Sequence, residues 1–110
     1  MRVAFFGDIV GKTGRQKLES SLHQFVSSEK IDFVIVNAEN ATSGAGLSAN
    51  HAEDLLNASV DCITLGDHAY DKKEIIPLFF AYFIASIKFF EFPEAEITIK
   101  RSFLFARFLS

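Results

Sequence analysis

The sequence predicts an α/β fold in which three parallel strands alternate with two helices. Three short apolar runs, each closed by a polar turn, indicate buried strands at Val3 to Phe6, Ile31 to Val36 and Val60 to Leu65. The segments between these runs carry apolar residues at helical spacing. Strands and helices that alternate in this way favour a parallel βαβαβ sheet.

Each helix is predicted from the apolar residues of its inner side. In the segment from Arg15 to Ser28 these are Leu18, Leu22, Phe25 and Val26. Ser48 is a candidate N-cap for the second helix, whose apolar side comprises Ala52, Leu55, Leu56 and Val60. His23 and His51 fall on these two helices, and we interpret both as ordinary surface or boundary residues.

Composition narrows the classes of function. A length of 110 residues fits one domain, and a net charge of −3 argues against stable nucleic-acid binding, which requires a basic face. The single cysteine, Cys62, lies inside a predicted strand, so we expect a buried thiol in a reducing, cytoplasmic setting. The opening apolar run is interrupted by Asp8 and is too short for an export signal.

A composition break divides the chain into residues 1–76 and residues 77–110. Nine of the 13 phenylalanines lie after Ile76, and Pro77 to Phe92 is almost continuously aromatic and aliphatic. The charge-free stretch from Ile75 to Ile87 is shorter than the roughly 18 to 20 residues that cross a bilayer, so no membrane span is expected. We interpret residues 77–110 as a divergent Phe-rich tail, arising by truncation or a frameshift, that covers the sheet.

Polar residues follow each predicted strand at the point where it ends. Asp8 follows the first strand, Glu39 and Asn40 follow the second, and Asp67 and His68 follow the third. Because parallel strands end at the same edge of a sheet, we expect these side chains to converge. Oxygen ligands with an imidazole suit Mn²⁺, iron or Zn²⁺, and two such cations can polarise a phosphoryl group.

Three motifs resemble one protein family. They are "GDIVGKTGR" (Gly7 to Arg15), "NAEN" (Asn37 to Asn40) with Gly44 and Gly46 after it, and "LGDHAYDKKEI" (Leu65 to Ile75). In order and spacing they resemble the bacterial calcineurin-like metallophosphoesterases of the YmdB type. The resemblance covers roughly residues 1–76 and implies the N-terminal half of a metallophosphoesterase α/β sandwich that hydrolyses phosphodiesters, including cyclic nucleotides.

The resemblance also implies a role for each site residue. Asp8, Glu39, Asn40 and Asp67 would be ligands of two divalent metal ions, Mn²⁺ or iron with Zn²⁺ as an alternative. Glu39 would bridge the two ions, and His68 would act as the general acid or stabilise charge on the phosphate. Asp71 is expected to cap or orient the segment that follows it.

Two departures from the family pattern bear on activity. Asp67 stands where the family has asparagine, which adds a negative charge to a site for an anionic substrate. The family takes its remaining metal ligands from histidines of its second half, and this sequence has no histidine after His68. We therefore expect the chain to be truncated and weakly active or inactive unless a homo-oligomer or a partner chain completes the site.

Two other functions remain open at this stage. The chain could be a noncatalytic fragment that binds metal or associates through its Phe-rich tail. A P-loop nucleotide binder is less favoured, because only three residues separate Gly7 from Gly11 where the P-loop pattern has four. In addition, Asp8 would direct a carboxylate at the phosphates.

Overall fold

The structure is a computed structural model, and it describes residues 1–78. The strands are β1 (Val3–Phe6), β2 (Phe33–Asn37) and β3 (Cys62–Thr64), and the α-helices are α1 (Gly11–Glu29) and α2 (Ala49–Asn57). Short 3₁₀ turns follow at Asp67–Tyr70 and Lys73–Ile75. The predictions for the Phe-rich tail beyond Leu78 lie outside the described residues.

The three strands form one parallel sheet in the order β1, β2, β3. Ala4 pairs with Val34, and Phe6 pairs with Val36, which in turn pairs with Ile63. This arrangement confirms the predicted βαβαβ topology, because each strand lies beside the strand that precedes it in the chain.

Both helices pack against the same side of this sheet. Side chains alternate between the two faces of a strand, so Val34, Val36 and Ile63 share one face. They join a single buried cluster with residues of the two helices, which are Leu18, Leu22, Ala52, Leu55 and Leu56. The residues predicted to form the inner sides of the helices therefore form the core, although Phe25 remains 40% exposed and contacts the ring of Phe6 edge-on.

Two element boundaries differ from the sequence prediction because backbone hydrogen bonds extend the helices. α1 begins at Gly11 rather than Arg15, with the Gly14 N–H donating to the carbonyl of Val10. At the other end of α1, the N–H of Ile31 donates to the Val26 carbonyl, so β2 begins only at Phe33.

β3 is likewise shorter than predicted. The N–H of Val60 still donates to the Leu55 carbonyl of α2, so the chain is not yet extended there and β3 begins at Cys62. The predicted N-cap is confirmed, since the Ser48 hydroxyl accepts a hydrogen bond of 3.3 Å from the N–H of His51. Cys62 is buried, as expected.

The prediction that β1 is buried is wrong for one of its two faces. Ala4 is buried, but Val3 is 47% exposed and Phe5 is 62% exposed. The reason is that α1 and α2 cover the opposite side of the sheet.

Neither these helices nor any other helix within residues 1–78 combines the length and apolar composition needed to cross a bilayer.

Candidate functional site

Backbone hydrogen bonds hold the three strand ends together. The N–H of Ile9 donates to the Asn37 carbonyl at 3.1 Å, and the N–H of Ala38 donates to the Thr64 carbonyl at 3.0 Å. These bonds continue the pairing of the strands past the ends of β1 and β2, so the segments that follow neighbouring strands leave the sheet side by side. Hydrogen bonds between backbone groups therefore bring the polar residues after each strand to the same edge of the sheet.

Asp8 and Asn40 meet directly at this edge. The side-chain amide of Asn40 donates to Asp8 Oδ1 at 2.8 Å, although the two residues are 32 positions apart. Asn40 thereby directs its nitrogen at Asp8 and keeps its amide oxygen as a separate acceptor. Asp8 has a positive φ of 50°, a conformation that costs free energy for most residues but is tolerated best by Asp and Asn. Backbone strain of this kind occurs often at functional sites.

Glu39 lies against the backbone at the end of β3. A Cβ atom added to Gly66 would come within 2.3 Å of Glu39 Oε2 and 2.9 Å of the carboxyl carbon. No side chain fits there unless the carboxylate moves. Gly66 therefore allows the carboxylate from the β2 loop to approach the Asp67 and His68 segment.

His68 is held by Asp71. Its Nδ1 lies 2.6 Å from Asp71 Oδ2, and because a carboxylate only accepts, Nδ1–H is the donor. This hydrogen bond is the main reason that the pKa of His68 is raised above its ordinary value, and the negative charges of Glu39 and Asp67 add to it. Asp71 was expected to act on the segment after it, but it orients His68 three residues before it.

A second cluster fixes the loop that carries Glu39 and Asn40. The Thr42 hydroxyl accepts from the Ser48 N–H at 2.9 Å and lies 2.7 Å from His51 Nδ1. Burial, and next the charge of Arg15, lower the pKa of His51, which favours the neutral ring that can accept the Thr42 proton. Arg15 also donates to the Ala41 carbonyl of this loop. His51 is thus half-buried and bonded, a role that its position in the sequence did not reveal.

Close packing joins this loop to the segment after His68. Gly46 has φ +79°, and a Cβ added there would lie 2.9 Å from Lys72 Cγ and 3.1 Å from Asp71 Cβ. The loop after β2 therefore packs against Asp71 and Lys72 and, through Glu39, against the end of β3. His23, in contrast, is exposed on α1 and remains a surface residue.

The candidate site carries several acidic side chains. Within residues 1–78, no lysine or arginine forms an ion pair with Asp8, Glu39 or Asp67. These carboxylates and the Asn40 oxygen are the kind of donors that hard divalent cations prefer. In the same part of the chain, however, no three His, Cys, Asp or Glu side chains are grouped closely enough to hold a metal ion. The donor chemistry fits a cation, whereas the described residues do not form a complete coordination shell.

The sequence matches the family model of the YmdB-like proteins over residues 4–83. A Mycoplasma pneumoniae protein named as a phosphatase/phosphodiesterase is 45% identical over 73 residues, covering 66% of this chain and 26% of the relative. The 2′,3′-cyclic-nucleotide 2′-phosphodiesterase of Bacillus subtilis is 40% identical over 75 residues, covering 68% of this chain and 28% of the relative.

Two solved structures share the fold. A Mycoplasma pneumoniae structure described as a novel phosphatase has a TM-score of 0.64 at 45% identity, over 66% of this chain and 26% of that one. A hypothetical protein from Thermus thermophilus has a TM-score of 0.63 at 39% identity, over 72% of this chain and 31% of that one. The chain therefore spans about a quarter of the length of the relatives it matches.

Proposed function

The chain belongs to the YmdB-like protein family, and we propose that it serves metal-dependent hydrolysis of a phosphodiester, with residues 1–78 forming one part of the site. The observation that carries this proposal is that two pairs of side chains, Asp8 with Asn40 and Glu39 with His68, lie at the ends of three neighbouring strands. Relatives named as phosphatases and phosphodiesterases support the reaction class.

In this proposal Asp8, Glu39, Asn40 and Asp67 hold two divalent cations, Mn²⁺ or iron, with Zn²⁺ as the alternative. When bound, such ions polarise the phosphoryl oxygens and generate hydroxide near neutral pH. Three carboxylates that form no ion pair with a basic side chain of residues 1–78 favour cation binding electrostatically. The hydrogen bond from Asn40 to Asp8 holds both side chains at the same point of the sheet edge and leaves the Asn40 oxygen as a ligand.

His68 is proposed to supply a proton to the leaving group. Its Nδ1–H is bound to Asp71, so the other ring nitrogen, Nε2, can carry the second proton of the imidazolium. The raised pKa increases the protonated fraction near neutral pH, as a general acid requires. As the bond between phosphorus and the leaving oxygen breaks, that proton passes from Nε2 to the leaving oxygen.

We propose a small phosphodiester, of the cyclic nucleotide class, as the substrate. The support is the name of the Bacillus subtilis relative, a 2′,3′-cyclic-nucleotide 2′-phosphodiesterase. The acidic character of the chain, −3 overall, is consistent with a small substrate rather than a nucleic-acid polymer. Asp67 adds negative charge beside His68, so substrate affinity depends on cations that offset it.

The loop after β1 gives less support to a P-loop function. At the start of α1, the N–H of Gly11 donates to the Asn40 carbonyl at 3.0 Å. A phosphate-cradling loop needs such N–H groups directed at the ligand, and this one is already bound to protein. Asp8 in the same loop would also repel a phosphate.

The noncatalytic alternative remains a proposal for the 110-residue chain alone. Hydrolysis with two metals requires ligands on all sides of the pair, and this sequence has no histidine beyond His68 to add. We therefore expect the chain alone to bind Mn²⁺ weakly and to hydrolyse substrate slowly or not at all. A homo-oligomer or a partner chain that carries the missing ligands would increase the rate.

The test is Mn²⁺ titration by calorimetry together with hydrolysis of bis(p-nitrophenyl) phosphate and of 2′,3′-cyclic AMP. Asp8→Asn is the informative variant, because asparagine tolerates the positive φ at this position while the charge is removed. Glu53→Gln, at an exposed position on α2, is the matched control. Mn²⁺ binding that is lost only in Asp8→Asn supports the site, and a folded wild-type chain that binds no Mn²⁺ contradicts it. Binding without hydrolysis favours the noncatalytic alternative.

A further inference from the structure

One face of the sheet is apolar and faces away from both helices. Its residues follow from strand register: Val3 pairs with Phe33, and Phe5 pairs with Ile35, which pairs with Cys62. Successive side chains of a strand alternate between faces, so these five residues share the side opposite the core. We call this surface, Val3, Phe5, Phe33, Ile35 and Cys62, the outer sheet face.

The outer sheet face is apolar, and its β1 side is open to solvent. Phe5 is 62% exposed and Val3 is 47% exposed, while Phe33 and Ile35 on the central strand are half-buried. None of the five residues belongs to the cluster that packs under α1 and α2. Parallel sheets in α/β proteins are normally covered on both faces, and strands with apolar residues on both sides indicate such double coverage. A contiguous apolar surface of this kind marks an interaction site.

We propose that residues 79–110 of the same chain are the occupant of the outer sheet face. These 32 residues follow directly after Leu78 and contain nine of the 13 phenylalanines. Leu78 itself packs against the core cluster, so the segment starts beside the sheet. An extended chain spans at most about 3.3 to 3.6 Å per residue, so the segment is long enough to reach the other side of a three-stranded sheet.

Charge also favours this occupant. Residues 79–110 carry four basic and three acidic side chains, whereas residues 1–78 carry seven basic and eleven acidic ones. The segment is therefore slightly positive and the body of the domain is negative, so the long-range interaction between them is attractive.

A second copy of the chain is the main competing occupant. A segment tethered to its binding surface has an effective concentration in the millimolar range. A second copy at ordinary protein concentrations would have to compete with that tethered segment.

Docking of the segment on its own chain is independent of the proposed hydrolysis, because the outer sheet face lies on the sheet surface and not at the strand ends that carry Asp8 and His68.

The test places a photocrosslinker on the outer sheet face of the full 110-residue chain. Phe5 is replaced by p-benzoylphenylalanine, and the matched control carries the same group at Phe25, which is 40% exposed on α1. After irradiation, peptides joined to each position are identified by mass spectrometry over a wide range of protein concentration. The proposal predicts crosslinks from position 5 to residues 79–110 within one chain, severalfold above those from position 25 and independent of concentration.

Other crosslinking outcomes overturn the proposal. Concentration-dependent dimers joined through position 5 would identify a second copy as the occupant. An absence of crosslinks at position 5 would leave the outer sheet face without a protein occupant, and equal yields from positions 5 and 25 would show contact without a preferred surface.

Cys62 gives a second measurement that leaves Phe5 unchanged. Cys62 lies in the same row as Phe5 and Ile35 and is only 3% exposed. Replacing all nine phenylalanines of residues 79–110 by serine should increase the rate of thiol labelling at Cys62 severalfold, while circular dichroism shows that the helices persist. An unchanged labelling rate in that folded variant contradicts the proposal.

Discussion

Replacement of Gly66 by alanine tests whether Glu39 is held at the end of β3. The new Cβ would lie 2.3 Å from Glu39 Oε2, whereas ordinary contacts begin at 3.4 Å. The carboxylate must therefore move away by about 1 Å, which is more than the roughly 0.5 Å that a functional constellation tolerates. The clash involves the far end of a flexible side chain rather than backbone, so Glu39 can rotate while the sheet remains intact.

This geometry separates an effect on the site from an effect on folding. We expect Gly66→Ala to remain folded, with a free energy of unfolding lower by about 1 to 3 kcal/mol. The new Cβ displaces only a side-chain end, but Gly66 has φ −102° and ψ −131°, which lie outside the regions that alanine prefers. Mn²⁺ affinity should fall by about tenfold or more, which is the usual effect of misplacing a ligand.

Calorimetric titration with Mn²⁺ and urea unfolding measure the two effects separately. Gly7→Ala is the matched control, since its Cβ would lie at an ordinary 3.5 Å from the Phe5 ring and next to Asp8. In the metal-free protein, the NMR pKa of His68 gives an independent readout, because the charge of Glu39 contributes to raising it. Wild-type Mn²⁺ affinity and an unchanged His68 pKa in Gly66→Ala would refute this account of Glu39. An equal loss of affinity in Gly7→Ala would refute its assignment to Gly66.

Three further predictions address the supports of the site and the core. Asp71→Asn should lower the pKa of His68, measured by NMR, toward its ordinary value of about 6.5. In the wild-type chain the pair of His68 and Asp71 stabilises the fold below that pH, and this stabilisation is lost as the pH rises through the raised pKa. The variant should lack it. Thr42→Val removes the hydroxyl bonded to His51, so urea unfolding should show a loss of about 1 kcal/mol. Leu22→Ala, at a core position that is 1% exposed, should cost about 2 to 5 kcal/mol in the same assay.

The order of elements and the strand-end cluster were accessible from the sequence, because both depend on local patterns. Apolar runs closed by polar turns indicated the three strands, and parallel pairing then required their ends to meet at one edge. The contact between Asp8 and Asn40 follows from that geometry, although they are 32 residues apart. Metal binding at these residues remains a prediction.

Other features depend on nonlocal contacts that no local pattern encodes. The first turn of α1 consists of Gly11, Lys12, Thr13 and Gly14, and it has no apolar residue that would indicate a helix. Its first residue is held by a hydrogen bond from the Gly11 N–H to the distant Asn40 carbonyl. The sequence indicates only that His51 is a boundary residue on α2. Its contact with the Thr42 hydroxyl depends on how the loop after β2 folds. A glycine before Asp67 indicates a turn, but not that the Glu39 carboxylate occupies the space of its missing Cβ.

The residues that stabilise the fold and the candidate site residues occupy different parts of this domain. The buried cluster under α1 and α2 contains no charged or polar side chain within residues 1–78, whereas Asp8 and Asp67 are exposed at the strand ends. Their mutual repulsion is therefore screened by solvent and costs little folding free energy. The same carboxylates can change charge, ligand or partner without disturbing the core. An Asp at position 67 is consequently compatible with the fold, and its effect should be confined to the site, where it acts on cation affinity, phosphate affinity and the pKa of His68.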